Sequence, residues 1–201
     1  MIELVVATRN RHKTREIQPI LGPEFSVRDL GAHPEVSEIR ERGTSFEENA
    51  KLKALAASRQ LPGLVIADDS GLEVDALGGA PGIYSARYAG ANATDTDKID
   101  KLLRELARVR VTDDGRRARF RCVVALARNG DLRGIFEGIV EGRITDIARG
   151  DSGFGYDPIF VPDGFEQTFG ELPSEVKNTI SHRAKAIRAV AEKLKRLEFG
   201  G

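Results

Sequence analysis

The chain has 201 residues, of which 40% are hydrophobic, and its 31 Lys and Arg residues equal its 31 Asp and Glu residues. This composition is that of a globular protein, and the zero net charge argues against a protein that coats nucleic acid or a membrane surface. One cysteine excludes an intramolecular disulfide, no apolar stretch approaches the ~20 residues of a membrane span, and we therefore expect a cytoplasmic protein.

The first half of the chain alternates predicted strands and helices. An apolar run over 2–7 predicts a buried strand, and a helix with one apolar face follows it and ends near Leu21. Thr44 and Ser45 are each followed three residues later by a glutamate, which predicts a helix start. The apolar run 64–67 predicts the next buried strand.

The second half of the chain contains further helices and a hairpin. Thr94 or Asp95 is the predicted cap of an amphipathic helix, and Ser181 is the predicted N-cap of the last helix. Two long apolar strands flank Asn129-Gly130, a pair typical of a tight hairpin turn. Strands, helices and a hairpin in one chain predict an α/β fold with a mixed sheet.

Glycine residues recur in the second hairpin strand and in two predicted loops. Gly134, Gly138 and Gly142 share one face of the second hairpin strand, which predicts a bend or a close approach of another element. The segment 78–92 is rich in glycine and has no period, so we expect a loop there, and 150–164 is too rich in glycine and proline for any regular element.

The junction between the first strand and the first helix has the chemistry of a phosphate site. Thr8 and Asn10 supply hydrogen-bonding groups and Lys13 a positive charge, where backbone N–H groups and the helix dipole also favour an anion. The pattern is not a Walker A loop. An ordinary capped helix with an exposed lysine is the alternative, and for this pattern alone it is the favoured one.

Two adjacent carboxylates, Asp68 and Asp69, stand where the apolar run 64–67 ends. Stability gives no reason for the pair, because neighbouring carboxylates repel and are costly to desolvate. They would suit a hard cation such as Mg²⁺ or the removal of a proton from water, whereas the alternative is a turn capped by one aspartate. Upstream glutamates complete this site or form a solvated acidic stretch: Glu38, Glu41, Glu47 and Glu48.

Two later segments add groups that suit a nucleotide. Phe154 and Tyr156 offer flat faces for a nucleobase, although core aromatics beside a turn are the alternative. His182 and Arg183 begin the last helix, where positive charge is unfavourable unless an anion lies nearby. Phosphate-binding groups, an acid pair, an aromatic loop and a basic helix start together predict a site for a magnesium nucleoside triphosphate.

Five motifs in this order resemble the noncanonical purine NTP pyrophosphatases, also called inosine triphosphate pyrophosphatases or the HAM1/RdgB-like family. They are ATRNRHK, ERGTSFEENAKLKA, ADDSGLEVDALGGAPGIYSARYAG, GFGYDPIF and KNTISHR. The resemblance implies one domain over residues 1–201, with a mixed elongated sheet flanked by helices, two lobes and a central cleft. It also implies a homodimer, with Mg²⁺-dependent hydrolysis of ITP, dITP and XTP to monophosphate and pyrophosphate, which keeps deaminated purines out of DNA and RNA.

The resemblance also implies roles for individual residues. Glu41 and Asp69 would hold Mg²⁺, Asp69 would be the general base for the attacking water, and Asp68 would support it. Substrate-binding roles fall on Thr8, Arg9, Asn10, Arg11, His12, Lys13, Lys53, Ser70, Phe154, Gly155, Tyr156, Asp157, Lys177, His182 and Arg183. Arg9 and Ser152 depart from the family pattern, since glycine is frequent at both positions.

Three other functions stay open at this point. A Maf-like pyrophosphatase would act on modified pyrimidine nucleotides, and the aromatic loop and the SHR motif argue against it. A nucleotide sensor would use the same pocket without catalysis. A nucleic-acid-binding module is disfavoured by the zero net charge.

Overall fold

The structure is a computed structural model that describes residues 1–37, 39–109 and 113–199. Glu38, one of the upstream glutamates, lies outside the described residues. The strands and α-helices in chain order are β1 Ile2–Val6, α1 Arg11–Leu21, β2 Phe25–Asp29, α2 Phe46–Ser58, β3 Leu64–Val74, α3 Asp95–Arg108, β4 Arg117–Arg128, β5 Asp131–Ile144, β6 Phe160–Pro162, α4 Ser174–Ile180 and α5 His182–Phe199.

The strands form a six-stranded sheet in the order β2-β1-β3-β4-β5-β6. β1 pairs in parallel with both β2 and β3, whereas β5 and β6 pair antiparallel. The predicted α/β fold with a mixed sheet and helices is therefore confirmed. Within the described part of the chain, no helix combines the length and apolar character needed to cross a membrane.

The chain divides into two compact units, each with its own core. Unit 1 consists of Met1–Asp69, Cys122–Gly138 and His182–Gly201, and unit 2 consists of Ser70–Arg121 and Ile139–Ser181. Apolar residues of β1, α1, β4 and α5 form the core of unit 1, and three phenylalanines pack together in unit 2: Phe120, Phe160 and Phe169.

Three of the local start and turn signals in the sequence are confirmed. Ser45 is the N-cap of α2 and its side chain accepts the N–H of Glu48. Thr94 is the N-cap of α3. Asn129 and Gly130 have φ values of 54° and 82°, both positive, as a two-residue hairpin turn of the right twist requires.

Three features differ from the sequence predictions. β3 continues to Val74, so the acid pair lies inside a strand and not where a strand ends. The strand can continue because its later residues Leu72 and Val74 are buried in unit 2, and because the aspartates have charged partners described below. The glycine- and proline-rich segment 150–164 contains β6, whereas we predicted no regular element there, and β2 had no predicted counterpart.

The glycines of β5 mark close approaches of other backbone. A Cβ on Gly138 would lie 2.0 Å from the carbonyl oxygen of His182 and 2.8 Å from the backbone nitrogen of Ala186. A Cβ on Gly142 would lie 2.2 Å from the carbonyl oxygen of Val161. The closely approached strand predicted from these residues is confirmed, and at Gly138 it sets how near the start of α5 lies to the sheet of unit 1.

Candidate functional site

The two neighbouring aspartates of β3 have different surroundings because they follow each other along a strand. Successive side chains of a strand point to opposite faces of the sheet. Asp68 and Asp69 are only 2% and 6% exposed, so each needs a partner on its own side. The partners of Asp68 come from α1 and α5, and those of Asp69 come from α2.

Asp68 lies in a buried network of alternating charges. Its Oδ2 is 2.9 Å from Nζ of Lys13 and 3.3 Å from Nη2 of Arg183. The guanidinium of Arg183 also pairs with Glu16. Burial alone would raise the pKa of Asp68, but the charges of Lys13, Arg183 and Lys53 outweigh it and hold this pKa well below the usual range.

Arg183 shows why positive charge is tolerated at the start of α5. The sequence led us to expect an anion or polar ligand near this residue. In the structure Arg183 is buried, and the carboxylates of Glu16 and Asp68 are anions of the chain itself. Burial lowers the pKa of Arg183, but these carboxylates outweigh the effect, so the pKa is raised and the side chain stays charged.

Asp69 lies in a second buried cluster, which α2 positions. Nζ of Lys53 is 3.3 Å from Oδ1 of Asp69 and 2.6 Å from Oε1 of Glu41. Nδ2 of Asn49 donates to Oδ2 of Asp69 at 3.1 Å, and Oδ1 of Asn49 accepts the N–H of Gly43. Because Asn49 and Lys53 are one helical turn apart, one face of α2 delivers both groups to the carboxylate.

The electrostatics of this second cluster suit a proton acceptor. Burial raises the pKa of Asp69, and the neighbouring charge of Glu41 raises it further, against the opposing charges of Lys53 and Lys13. A raised pKa brings a carboxylate closer to the range in which a general base works near neutrality. The pKa of Lys53 is also raised, because Asp69, Asp68 and Glu41 outweigh its burial.

The carboxylates of Glu41 and Asp69 fit a divalent cation. They converge on one positive charge, the ammonium group of Lys53. No group of three or more His, Cys, Asp or Glu side chains with metal-binding geometry occurs among the described residues. Mg²⁺ does not require one, since it keeps several waters and uses one or two carboxylates together with substrate phosphates.

The predicted phosphate segment forms the start of α1. Asn10 is the N-cap, and its side chain accepts the N–H of His12 at 3.0 Å. Oγ1 of Thr8 accepts the N–H of Asn10 at 3.1 Å. Arg11 and His12 are exposed in the first turn, while Lys13 turns to Asp68.

Arg9 has a role that its position in the motif does not suggest. Its guanidinium donates to the carbonyl oxygens of Leu30, at 3.1 Å, and Val36, at 2.8 Å. This arginine, which stands where glycine is frequent in the resembled family, therefore holds the segment that follows β2.

The loop around Phe154 in unit 2, here called the aromatic loop, is held by hydrogen bonds to Asp157 and Asp95. Oδ2 of the buried Asp157 accepts the N–H of Phe154 at 2.8 Å and pairs with Nζ of Lys177 at 2.5 Å. Nζ of Lys177 lies 5.1 Å from the ring centroid of Phe154. The N–H of Gly155 donates to Asp95 at 2.7 Å.

Tyr156 and Ser70 are the other predicted site residues of unit 2. Tyr156 packs in the core of unit 2, and its hydroxyl donates to the carbonyl oxygen of Ser85 at 3.0 Å. Of the predicted aromatic pair, Phe154 therefore has the more accessible ring. Ser70 is half-buried and follows Asp69 in β3.

Some residues of these clusters were missed by the sequence analysis. Glu16 follows Lys13 at the helical spacing of three, and this spacing was the available signal. Asn49 and Asp95 gave no such signal. An amide is common in a helix, and a carboxylate is favoured in the first turn of any helix, so neither position indicates a site.

The fold and site define an α/β protein with a buried carboxylate and lysine centre beside a helix N-terminus. The chain belongs to the Ham1 family, whose sequence model matches residues 4–193.

Relatives in several bacteria have similar sequences along nearly their whole length. The chain is 50% identical to a dITP/XTP pyrophosphatase from Shouchella clausii, with 96% of each chain covered. It is 45% identical to the protein of the same name from Bacillus subtilis, covering 96% of this chain and 98% of the relative. A HAM1 protein structure from Coxiella burnetii matches with a TM-score of 0.86 at 41% identity, covering 96% of this chain and 98% of the other.

Proposed function

We propose that this protein is a pyrophosphatase for nucleoside triphosphates with deaminated purine bases, such as dITP, ITP and XTP. The products would be the nucleoside monophosphate and pyrophosphate. Relatives at 45–50% identity carry the name dITP/XTP pyrophosphatase. The observation that carries the proposal is the buried Asp69, whose pKa is raised and whose partner Lys53 also pairs with the carboxylate of Glu41.

We assign the metal to Glu41 and Asp69, and Mg²⁺ is the ion whose preferences this oxygen pair meets. Bound there, Mg²⁺ would neutralise triphosphate charge and make the α-phosphorus more open to attack. Asp69 accepts the proton of the attacking water, and its burial raises its pKa in the direction that favours this role.

Lysines stabilise the charge that develops on the departing pyrophosphate. Lys13 and Lys53 are the two ammonium groups beside the acid pair. Thr8, Asn10 and the N–H groups of the first turn of α1 contact the phosphates. Arg183 pairs with Glu16 and Asp68, so we assign to it the positioning of Lys13 through the shared carboxylate of Asp68.

Base recognition is assigned to the aromatic loop and to the start of α5. Phe154 provides the ring face, while Lys177 and His182 supply hydrogen-bonding groups. Hypoxanthine and xanthine carry a 6-oxo acceptor where adenine carries an amino donor. A site that donates there leaves its donor unpaired with ATP, and such unpaired groups discriminate by up to about 10⁴-fold. Guanine also has the 6-oxo group, so GTP must be rejected at its 2-amino group.

A nucleotide panel tests this proposal. Wild-type protein is incubated with dITP, XTP, ATP, GTP or dTTP, with Mg²⁺ or with EDTA, and pyrophosphate is measured. We expect release from dITP and XTP, in the presence of Mg²⁺ only. Faster release from dTTP would favour the Maf-like alternative. Binding of dITP without any pyrophosphate would favour the sensor.

A further inference from the structure

Lys53 occupies the position between the two carboxylates that are assigned to the metal. Its Nζ is 2.6 Å from Oε1 of Glu41 and 3.3 Å from Oδ1 of Asp69, and its side chain is only 10% exposed. We propose that Lys53 is a built-in competitor of the metal, which neutralises this carboxylate pair and is exchanged onto the triphosphate when the metal binds. The inference rests on the proposed function. It adds an exchange of Lys53 that couples binding of the metal to binding of the triphosphate.

The two carboxylates, of which Asp69 is buried and Glu41 is partly exposed, explain why such an internal cation is present. Two nearby carboxylates without a cation repel each other and lose their hydration, at a cost that a paired positive charge removes. Asn49 donates a hydrogen bond to Asp69 but brings no charge. Lys53 therefore stabilises the folded protein in the absence of metal.

The same geometry makes joint occupancy unfavourable. A divalent ion bound to Glu41 and Asp69 would lie within a few ångströms of the ammonium group. Two like charges at about 4 Å repel by several kcal/mol at the dielectric of a partly buried site. The metal and the ammonium group therefore alternate at the carboxylates, and metal binding moves Nζ away.

Lys53 is able to move because only its tip has to change position. Its backbone is fixed in the middle of α2, while its four-carbon stem rotates readily. An ammonium group displaced from Asp69 needs a new anion, and the triphosphate is the anion that arrives with the metal. Metal and triphosphate consequently help each other to bind, and the effect is reciprocal.

The exchange between Lys53 and the metal is tested by measuring metal affinity in the absence of nucleotide. This measurement does not depend on turnover. Mn²⁺ is the probe, and its binding is measured by electron paramagnetic resonance for wild type, Lys53→Met and Lys51→Met. Lys51 lies on the same helix and pairs with Glu47, so its variant removes an equal charge without touching the carboxylate pair.

The exchange predicts that Lys53→Met binds Mn²⁺ about tenfold or more tightly than wild type, because a site occupied by a competitor is available only part of the time. Lys51→Met should stay close to wild type. Unchanged or weaker Mn²⁺ binding by Lys53→Met would overturn the proposal. Failure of the exchange can be distinguished from failure of the proposed function. The proposed function fails if wild-type protein releases no pyrophosphate from dITP or XTP.

A second measurement on wild-type protein removes any dependence on the folding of the variant. Crystals grown with Mn²⁺ and without nucleotide should show the ion on Glu41 and Asp69, with Nζ of Lys53 beyond hydrogen-bonding distance of Asp69. An ion bound there with Nζ still in contact with both carboxylates would contradict the exchange. An ion bound elsewhere would contradict the assignment of the site.

Discussion

At the scale of single residues, the alternation of a β-strand gives two adjacent aspartates different chemistry. Asp68 is surrounded by positive groups that lower its pKa, and burial together with Glu41 raises the pKa of Asp69. Two carboxylates whose environments move their pKa values apart can take different roles in one reaction. Here Asp68 pairs with Lys13 and Arg183, while Asp69 is the proposed proton acceptor.

Asp69→Asn tests the proton acceptor. An amide cannot take the proton of the attacking water, so we expect turnover of dITP to fall by about 10²-fold or more. Nucleotide binding should persist, because the lysines and the start of α1 are unchanged. Steady-state kinetics and calorimetric titration with dITP measure the two effects. Near-normal turnover would remove Asp69 from the mechanism.

Asp68→Asn tests the structural role of the other aspartate. The change leaves Arg183 and Lys13 buried with too little negative charge, so we expect a loss of about 3 kcal/mol in the free energy of unfolding. Asp163→Asn is the control, because its exposed pair with Arg117 should contribute less than about 1 kcal/mol. Denaturant titration at neutral pH measures both variants, and equal losses would contradict the role of Asp68.

The loss of stability caused by Asp68→Asn should depend on pH. The pKa of Asp68 is lower in the folded protein than in the unfolded chain, where it is about 3.9. The contribution of Asp68 to stability is therefore complete above about pH 5 and is lost as the pH falls towards its folded pKa. We expect the difference in unfolding free energy between wild type and Asp68→Asn to narrow below about pH 4. A difference that widens in acid would contradict this assignment.

At the scale of secondary-structure elements, the site depends on where the helices meet the sheet. α1 brings Lys13 and Glu16 to Asp68, α5 brings Arg183 to the same carboxylate, and α2 brings Lys53 to Asp69. The approach of α5 is possible because Gly138 of β5 has no side chain.

Gly138→Ala tests this approach. Its Cβ would meet backbone atoms of α5, which cannot move aside as a side chain can, so we expect a loss of about 1–3 kcal/mol or more in stability. Gly134→Ala is the matched control in the same strand, since its Cβ would meet only the ring of Phe136. Thermal unfolding of both variants measures the effect. A Gly138→Ala variant as stable as the control would show that α5 adjusts freely.

Local signals in the sequence predicted the elements better than they predicted contacts. Ser45, Thr94 and Asn129-Gly130 act through hydrogen bonds and dihedral angles within a few residues, and the structure confirms each of them. The strand β6 depends on its pairing with β5, which is distant in sequence, so its own glycines and prolines predicted only a loop.

The same distinction applies to the site. Asp68, Asp69, Lys13 and Lys53 were predicted as site residues, and the structure brings them into two adjoining charge clusters. The partnership of Arg183 with Glu16 and Asp68 could not be predicted, because it joins residues from three separate parts of the chain. Their roles in substrate binding stay proposals.

At the scale of the whole molecule, the residues assigned to the proposed function are distributed over two compact units. Unit 1 contains the acid and lysine clusters, and unit 2 contains the aromatic loop with Asp157 and Lys177. Each unit has its own apolar core, so each holds its functional groups on a packed framework. A single functional domain, a homodimer and a cytoplasmic location stay predictions.

We propose that this site directs water to the α-phosphate of the nucleotide. Hydrolysis of dITP in ¹⁸O-labelled water, followed by ³¹P NMR of the products, shows which phosphorus the water attacks. Attack at the α-phosphorus places one ¹⁸O atom in the phosphoryl group of dIMP and leaves the pyrophosphate unlabelled. Label in the pyrophosphate, or release of inorganic phosphate with dIDP, would contradict it.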